Sequence, residues 1–230
     1  MTKHIGIVAV SSEGAALCYR TICLEGAEFL GPHEHPEITL HGFSLGCYQR
    51  LIDDDRWDAV GEMMLASAAK LVESGAQLLI CPDNTVHQGF DLVRERSPAP
   101  WIHIAEEVAD EARRRGFKRL GILGTRFLME GPVYPSKLAP AGIEYRVPNV
   151  EQRARINQII YDELVNARIL PESRAYFQNV IRDLADNENG CDAVALACTE
   201  IPLLISSDDS PLPILDSTRI LARAALRKAI

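Results

Sequence analysis

The chain lacks any long hydrophobic run: in 230 residues no apolar segment approaches the length of a bilayer span, which excludes a membrane helix. Basic clusters are equally scarce. A net charge of −8 argues against nucleic acid as a partner, because neutralising phosphates requires a basic face. The single dense basic run, Arg113-Arg114-Arg115, sits before Gly116 at the expected end of a helix, where cations suit the dipole. No Cys-x-x-Cys pair occurs among Cys18, Cys23, Cys47, Cys81, Cys191 and Cys198, so a disulfide framework is not expected. Met1-Thr-Lys-His leads into a strand without the apolar core of a signal peptide, and the expected location is the reducing cytoplasm. Low-complexity linkers are absent, and the loop Ser11-Ser12-Glu13-Gly14 has one glycine where a dinucleotide fingerprint needs three. His33, His35 and His41 lie close together, but no Asp or Cys completes a recognisable site, and no metal is expected.

What is present is ordinary for a globular protein: 47% hydrophobic and 24% charged residues, in a chain long enough for one large or two small domains. The organising stretch is Ala76–His87. Leu78–Cys81 is an apolar run that stops at Pro82 and reads as a buried parallel strand. Asp83, Asn84, Thr85 and His87 then place polar chemistry at its carboxyl end, where open α/β sheets bind ligands. A second run, Ala193–Cys198, ends likewise in Cys198, Thr199 and Glu200. The halves also begin alike, with Ile5-Gly6-Ile7-Val8 and Leu120-Gly121-Ile122-Leu123. Gly6 to Asp83 and Gly121 to Cys198 both span 77 residues (83 − 6 and 198 − 121). The helix-like segments Trp57–Glu73 and Ala175–Asn187 match in order. These features read as an internal duplication in which Asp83 and Cys198 are equivalent.

Strand and helix signals alternate along the chain, which predicts α/β architecture: two pseudo-symmetric subdomains with mainly parallel sheets and an active site in the cleft between them. Ser97-Pro98-Ala99-Pro100 marks the boundary between halves, giving subdomains of 1–97 plus 208–230 and of 98–207. Helices are expected over Ala15–Phe29, Glu130–Leu138, Val150–Val165 and Ser217–Lys228. Asp53-Asp54-Asp55 is read as the acidic first turn of the helix through Glu73.

Two half-sites facing each other would set Asp83 and Cys198 on opposite sides of one carbon, as removal and return of a Cα proton requires. A thiol with an unperturbed pKa near 8.5 can serve as acid or base. Thr85, Thr125 and Thr199 are candidate donors to a substrate carboxylate, and helix N-termini after Ser12, Thr85 and Thr199 would add positive potential. Ser11 and Ser12 are candidate anion ligands as well as caps. Each has a plainer reading. Cys198 fits an inert buried thiol, Asp83-Asn84-Thr85 an Asx turn, His87 a brace for that turn, and Glu200 a helix-entry carboxylate. The repeat relation favours chemistry for Asp83 and Cys198 alone.

Several segments together resemble the cofactor-independent aspartate/glutamate racemase family over nearly the whole chain. They are Asn84-Thr85-x-His87, Gly124-Thr125-Arg126-Phe127-x-Met129-Glu130, Ile156-Asn157-Gln158-Ile159-Ile160-Tyr161-x-Glu163-Leu164, Cys198-Thr199-Glu200-Ile201 and Leu215-Asp216-Ser217-Thr218. The resemblance implies a homodimer with a small carboxylate or amino acid as partner, and no pyridoxal phosphate, metal or other cofactor. It also implies two opposed residues, usually cysteines, one from each half. The expected substrate contacts are Ser11, Ser12, Asn84, Thr85, Thr125, Thr199 and Glu200. The sequence departs from the family at Asp83, where the first cysteine falls, at Ala9-Val10 for a glycine pair, at Leu128 for a polar residue and at Leu221 for a histidine.

An ionised Asp83 would repel an acidic substrate by about 4 kcal/mol at ~4 Å and an effective dielectric constant of about 20. Asp83 is therefore protonated in the cleft, or the substrate carries a compensating cation, or the reaction is another. The leading expectation is a racemase or epimerase that moves a Cα proton between Asp83 and Cys198. The alternatives are a single-thiol decarboxylase or cis–trans isomerase of small dicarboxylates, and a non-catalytic binder of small acids.

Overall fold

The computed structural model describes residues 2–186 and 190–230; Asn187, the end of one of the matched helical segments, lies outside them. Among the described residues there are eight strands: β1 (Ile5–Ala9), β2 (Ile38–Gly42), β3 (Leu78–Ile80), β4 (Trp101–Ile102), β5 (Arg119–Leu123), β6 (Glu144–Arg146), β7 (Ala193–Leu196) and β8 (Ile214–Asp216). They form two four-stranded sheets, ordered β2-β1-β3-β4 and β6-β5-β7-β8, with every pair parallel. The fold is α/β. The inner strands β1, β3 and β7 are buried at every position, as continuous apolar runs in parallel sheets should be. The outer strand β6 is exposed throughout and carries Glu144, Tyr145 and Arg146.

The chain forms two compact units, Met1–Glu107 with Thr218–Ile230, and Val108–Ser217. These bounds lie ten residues beyond those set by the proline-rich link (107 − 97 and 217 − 207). Trp101–Ile102 hydrogen-bonds to β3 in the first sheet, and Ile214–Asp216 to β7 in the second, so each strand joins the unit preceding it.

The first unit's core gathers Ile5, Ile7, Cys18, Ile22, Leu78 and Ile80 with Leu221, Ala225 and Leu226 of the helix Ser217–Ala229. That helix is tied back by the Lys3 amide, which donates to the Ala229 carbonyl at 2.7 Å. In the second unit the helix Pro171–Ala185 buries Phe177, Val180, Ile181 and Leu184 against Val194 and Leu196 of β7. The apolar spacing of i, i+3, i+4 and i+7 along this helix produces one continuous buried stripe.

The sheets repeat a register. Ile5 opposes Leu78 and Leu120 opposes Ala193, a separation of 73 residues in both cases (78 − 5 and 193 − 120). A glycine occupies the same place in each leading strand. A methyl group on Gly6 would lie 2.7 Å from Leu79 Cδ2, 2.9 Å from Ala76 Cβ and 3.2 Å from Leu71 Cβ; one on Gly121 would lie 2.9 Å from Leu184 Cδ1. Leu71 and Leu184 belong to the corresponding helices, Trp57–Glu73 and Pro171–Ala185. Each glycine therefore lets a helix leucine settle onto the middle of its sheet.

Three local expectations are corrected. Asp53–Asp55 does not open a helix: Leu45–Asp53 is itself helical, burying Tyr48 and Ile52 four residues apart, and Asp55 takes a left-handed φ of 56° before the next helix starts at Trp57. The helix expected over Glu130–Leu138 is two pieces, Arg126–Glu130 and Pro135–Leu138, because Thr125 caps the first and Gly131-Pro132 interrupts. The helix expected over Ala15–Phe29 starts at Ser12 and ends at Glu25, with Ala27–Leu30 as a separate turn.

Alanine at Gly6 is expected to cost about 2–3 kcal/mol and at Gly121 about 1 kcal/mol, read from urea unfolding midpoints. The difference arises because the Ala76 Cβ facing Gly6 cannot rotate away, whereas the Leu184 methyl facing Gly121 can.

Candidate active site

In each sheet the chain leaves the leading strand first to one side and then to the other. The order β2-β1-β3-β4 therefore reverses between β1 and β3, and β6-β5-β7-β8 reverses between β5 and β7. The carboxyl ends flanking such a reversal form the ligand crevice of an open α/β sheet. In the first unit those ends carry Ser11 and Ser12 after β1, and Asp83, Asn84 and Thr85 after β3. In the second they carry Thr125 after β5, and Cys198, Thr199 and Glu200 after β7. Asp83 stands four residues beyond the partner of Gly6, and Cys198 four beyond the partner of Gly121, so the two hold equivalent places on their own sheets.

In the first unit, Ser11 is buried and its hydroxyl accepts the Gly14 amide at 3.3 Å, capping the helix Ser12–Glu25; Ser12 is exposed as the first helical residue. Asp83 is half-buried. Its Oδ1 accepts the Val86 amide at 3.1 Å, while its carbonyl accepts the His87 Nδ1 proton at 2.7 Å. Aspartate and histidine thus brace one turn from both ends. Thr85–Gly89 is a 3-10 turn, and it presses against the helix Trp57–Glu73 where two glycines meet: a methyl group on Gly89 would lie 3.0 Å from the Gly61 amide nitrogen. Asn84, Thr85 and His87 are buried, and the His87 ring stacks on Phe90 with 5.2 Å between centroids.

Sequence reading missed Tyr48, which lies in the helix Leu45–Asp53, a segment to which it assigned no element. Burial drives its phenol well above the usual range, and Cys81 and Asp83 add to the rise. The buried, i+4-spaced Tyr48 and Ile52 were the available signal. Cys81 is fully buried, and burial, followed by the charge of Asp83, pushes its thiol far up. It stays protonated at neutral pH.

In the second unit the Cys198 thiol donates to Glu200 Oε2 at 3.0 Å, and the Thr199 hydroxyl donates to the same oxygen at 3.3 Å. All three residues are at most 7% exposed, so this is a carboxylate kept from water with a sulfur in reach. Thr125 is buried, and its hydroxyl accepts the Leu128 amide at 3.2 Å. The expected helix-dipole support is smaller than anticipated. Of the three N-termini, only that at Ser12 begins a long helix; Thr85–Gly89 and Ile201–Leu204 are single turns with few aligned peptides.

The three neighbouring histidines do not converge. His35 Nδ1 bonds the Pro36 carbonyl at 2.8 Å, His41 Nδ1 meets Ser67 Oγ at 2.7 Å, and His33 sits exposed with a φ of 66°. Among the described residues no group of three or more His, Cys, Asp or Glu could hold a metal ion, and no helix is long and apolar enough to cross a membrane.

The profile of the Asp/Glu/hydantoin racemase family matches residues 7–225. The chain belongs to this family. A candidate Asp/Glu racemase from Yersinia pestis, of known crystal structure, is 30% identical with a TM-score of 0.87, covering 99% of both chains. The crystal structure of an aspartate racemase homologue from Pyrococcus horikoshii is 27% identical with a TM-score of 0.84, again over 99% of both. The broad specificity amino-acid racemase RacX of Bacillus subtilis is 24% identical over 194 residues, 84% of this chain and 82% of its own.

Two departures from the family's pattern have local explanations. Leu221 is fully buried in the first unit's core, so the position serves packing here. Leu128 is buried, and its side chain lies where a methyl group on Gly124 would fall, 2.5 Å away, closing over the end of β5.

Buried thiols that stay protonated in the fold and ionise on unfolding make stability fall at high pH. The contribution of Cys81 is complete below its unfolded pKa of about 9 and declines as pH rises past that value. Cys191, pushed up to about 11 mainly by burial, adds to the decline. Urea unfolding from pH 7 to 10.5 should show the loss setting in near pH 9, with Cys81→Ala flattening the slope by up to about 1.4 kcal/mol per pH unit.

Proposed function

We propose that the chain is a cofactor-independent amino-acid racemase or epimerase in which Cys198 and Asp83 serve opposite faces of the substrate Cα. The observation that carries this reading is the repeated register: each sheet sets one acid–base residue at the same position beyond its central strand, at the reversal of strand order. Family membership supports the reaction class, and the resemblance to RacX supports amino acids as the substrates.

In this reading Glu200 accepts the Cys198 proton along their 3.0 Å hydrogen bond, and the thiolate then removes the Cα proton. Asn84, Thr85, Thr125 and Thr199 hold the substrate carboxylate, with Ser11 and Ser12 supplying further donors and His87 keeping the turn in place. Charge that develops on that carboxylate as the carbanion forms is met by donors already fixed by the fold. Asp83, protonated, returns a proton to the opposite face; in the reverse direction its carboxylate is the base. The chemistry needs no electron sink beyond the substrate carboxylate. With no disulfide among the described residues, the cysteines fit a reducing cytoplasm, and a homodimer is the proposed assembly.

The test is loss of the Cα proton signal of L- and D-amino acids in D₂O, followed by NMR. Exchange should occur with at least one amino acid and fall about 10²–10⁴-fold in Cys198→Ser and in Asp83→Asn. Asp83→Cys should raise exchange of aspartate or glutamate. No exchange with any amino acid, or exchange indifferent to Cys198→Ser, overturns the reading; release of CO₂ or an alkene shift without exchange would favour the decarboxylase or isomerase alternative.

A further inference from the structure

The segment Ile156–Leu164 is strongly patterned yet has no part in the chemistry above. Its helix, Val150–Asp162, turns Ile156, Ile159 and Ile160 into the second unit's core. Arg153 and Asn157, four residues apart, share another face. Both reach the short helix Arg126–Glu130. Arg153 Nε donates to Glu130 Oε1 at 2.9 Å, and Asn157 Oδ1 accepts the Arg126 amide at 2.8 Å. Four residues also separate Arg126 from Glu130, so the two pairs clamp both ends of that helix in antiparallel order. Arg153 is further fixed by donating to the Pro148 carbonyl at 2.7 Å, and its side chain is only 17% exposed.

A helix of five residues does not hold its own geometry in water. Its first amides have no acceptor within the helix. The Thr125 hydroxyl satisfies Leu128, and the Asn157 oxygen satisfies Arg126, the residue directly after Thr125. We propose that Asn157 is a positioning residue: by holding the Arg126 amide it sets where Thr125 presents itself at the carboxyl end of β5. This rests on the proposed role of Thr125 in gripping the substrate carboxylate. Asn157 itself touches no reacting atom. A contact made equally with substrate and transition state appears in KM, so the loss of Asn157 should register there.

The experiment compares full-length Asn157→Ala and Asn157→Asp with the wild type for steady-state kinetics on the fastest-exchanging amino acid, Tm, and hydrogen exchange of the Arg126 amide. Asn157→Ala should raise KM about tenfold, leave kcat within about threefold, shift Tm by less than about 2 °C, and speed Arg126 amide exchange about tenfold. Asn157→Asp, whose carboxylate oxygen accepts the same N–H, should return KM to within about threefold of wild type. An unchanged KM in the alanine variant, or an aspartate variant no better than alanine at equal Tm, overturns the proposal. If the wild type turns over no amino acid, it is the racemase reading that has failed, and the Arg126 amide decides alone. Faster exchange in Asn157→Ala then sustains the clamp, and unchanged exchange overturns it.

Discussion

The register between the two inner strands of each sheet is the constraint on which both proposed half-sites depend. Strand β1 pairs with β3, and β5 with β7, at the same separation along the chain, and apart from the half-buried Arg119 at the start of β5 every position of these strands is buried. A slip of one residue would turn every side chain to the opposite face and move the residues beyond the strand ends by more than 3 Å. What prevents the slip is steric. The leucine that packs over Gly6 or Gly121 fits only where no side chain stands. The chemistry at the carboxyl ends is thus aligned by an apolar contact made in the middle of each sheet.

Much of this was legible because the sequence expresses it twice. The buried strands announce themselves as short apolar runs ended by Pro82 or by Thr199-Glu200, and the equal spacing of Gly6–Asp83 and Gly121–Cys198 reappears as equal register. What escaped was decided by contacts that no local pattern encodes. The helix Leu45–Asp53 shows only two buried residues, and its acidic end imitates the start of the next helix. Arg126–Glu130 exists as a separate piece because Thr125 and Asn157 supply acceptors from outside it. The boundary between units follows strand pairing, which places Trp101–Ile102 with the first sheet although the proline-rich link precedes it.

The halves are alike in frame and unlike in chemistry. In the second, a sulfur is followed two residues later by a buried carboxylate that accepts its hydrogen bond. In the first, the carboxylate occupies the sulfur's own position, and Thr85 stands at the place equivalent to Glu200 (85 + 115). Each half therefore keeps one acid, displaced by two residues. Asp83 is also engaged locally, its Oδ1 by the Val86 amide and its carbonyl by His87. Cys198 is engaged in its own turn too, its thiol by Glu200 and its carbonyl by the Ile201 amide at 3.1 Å.

The first unit is assembled from both ends of the chain: the helix Ser217–Ala229 fills its core, and the Ala229 carbonyl binds the Lys3 amide. The second unit is one uninterrupted stretch, Val108–Ser217. During synthesis, at roughly 5–20 residues per second, that stretch leaves the ribosome before the closing helix does. The half bearing the sulfur can then finish folding while the half bearing the aspartate still waits for its last wall, so in a nascent chain the surroundings of Cys198 are complete before those of Asp83.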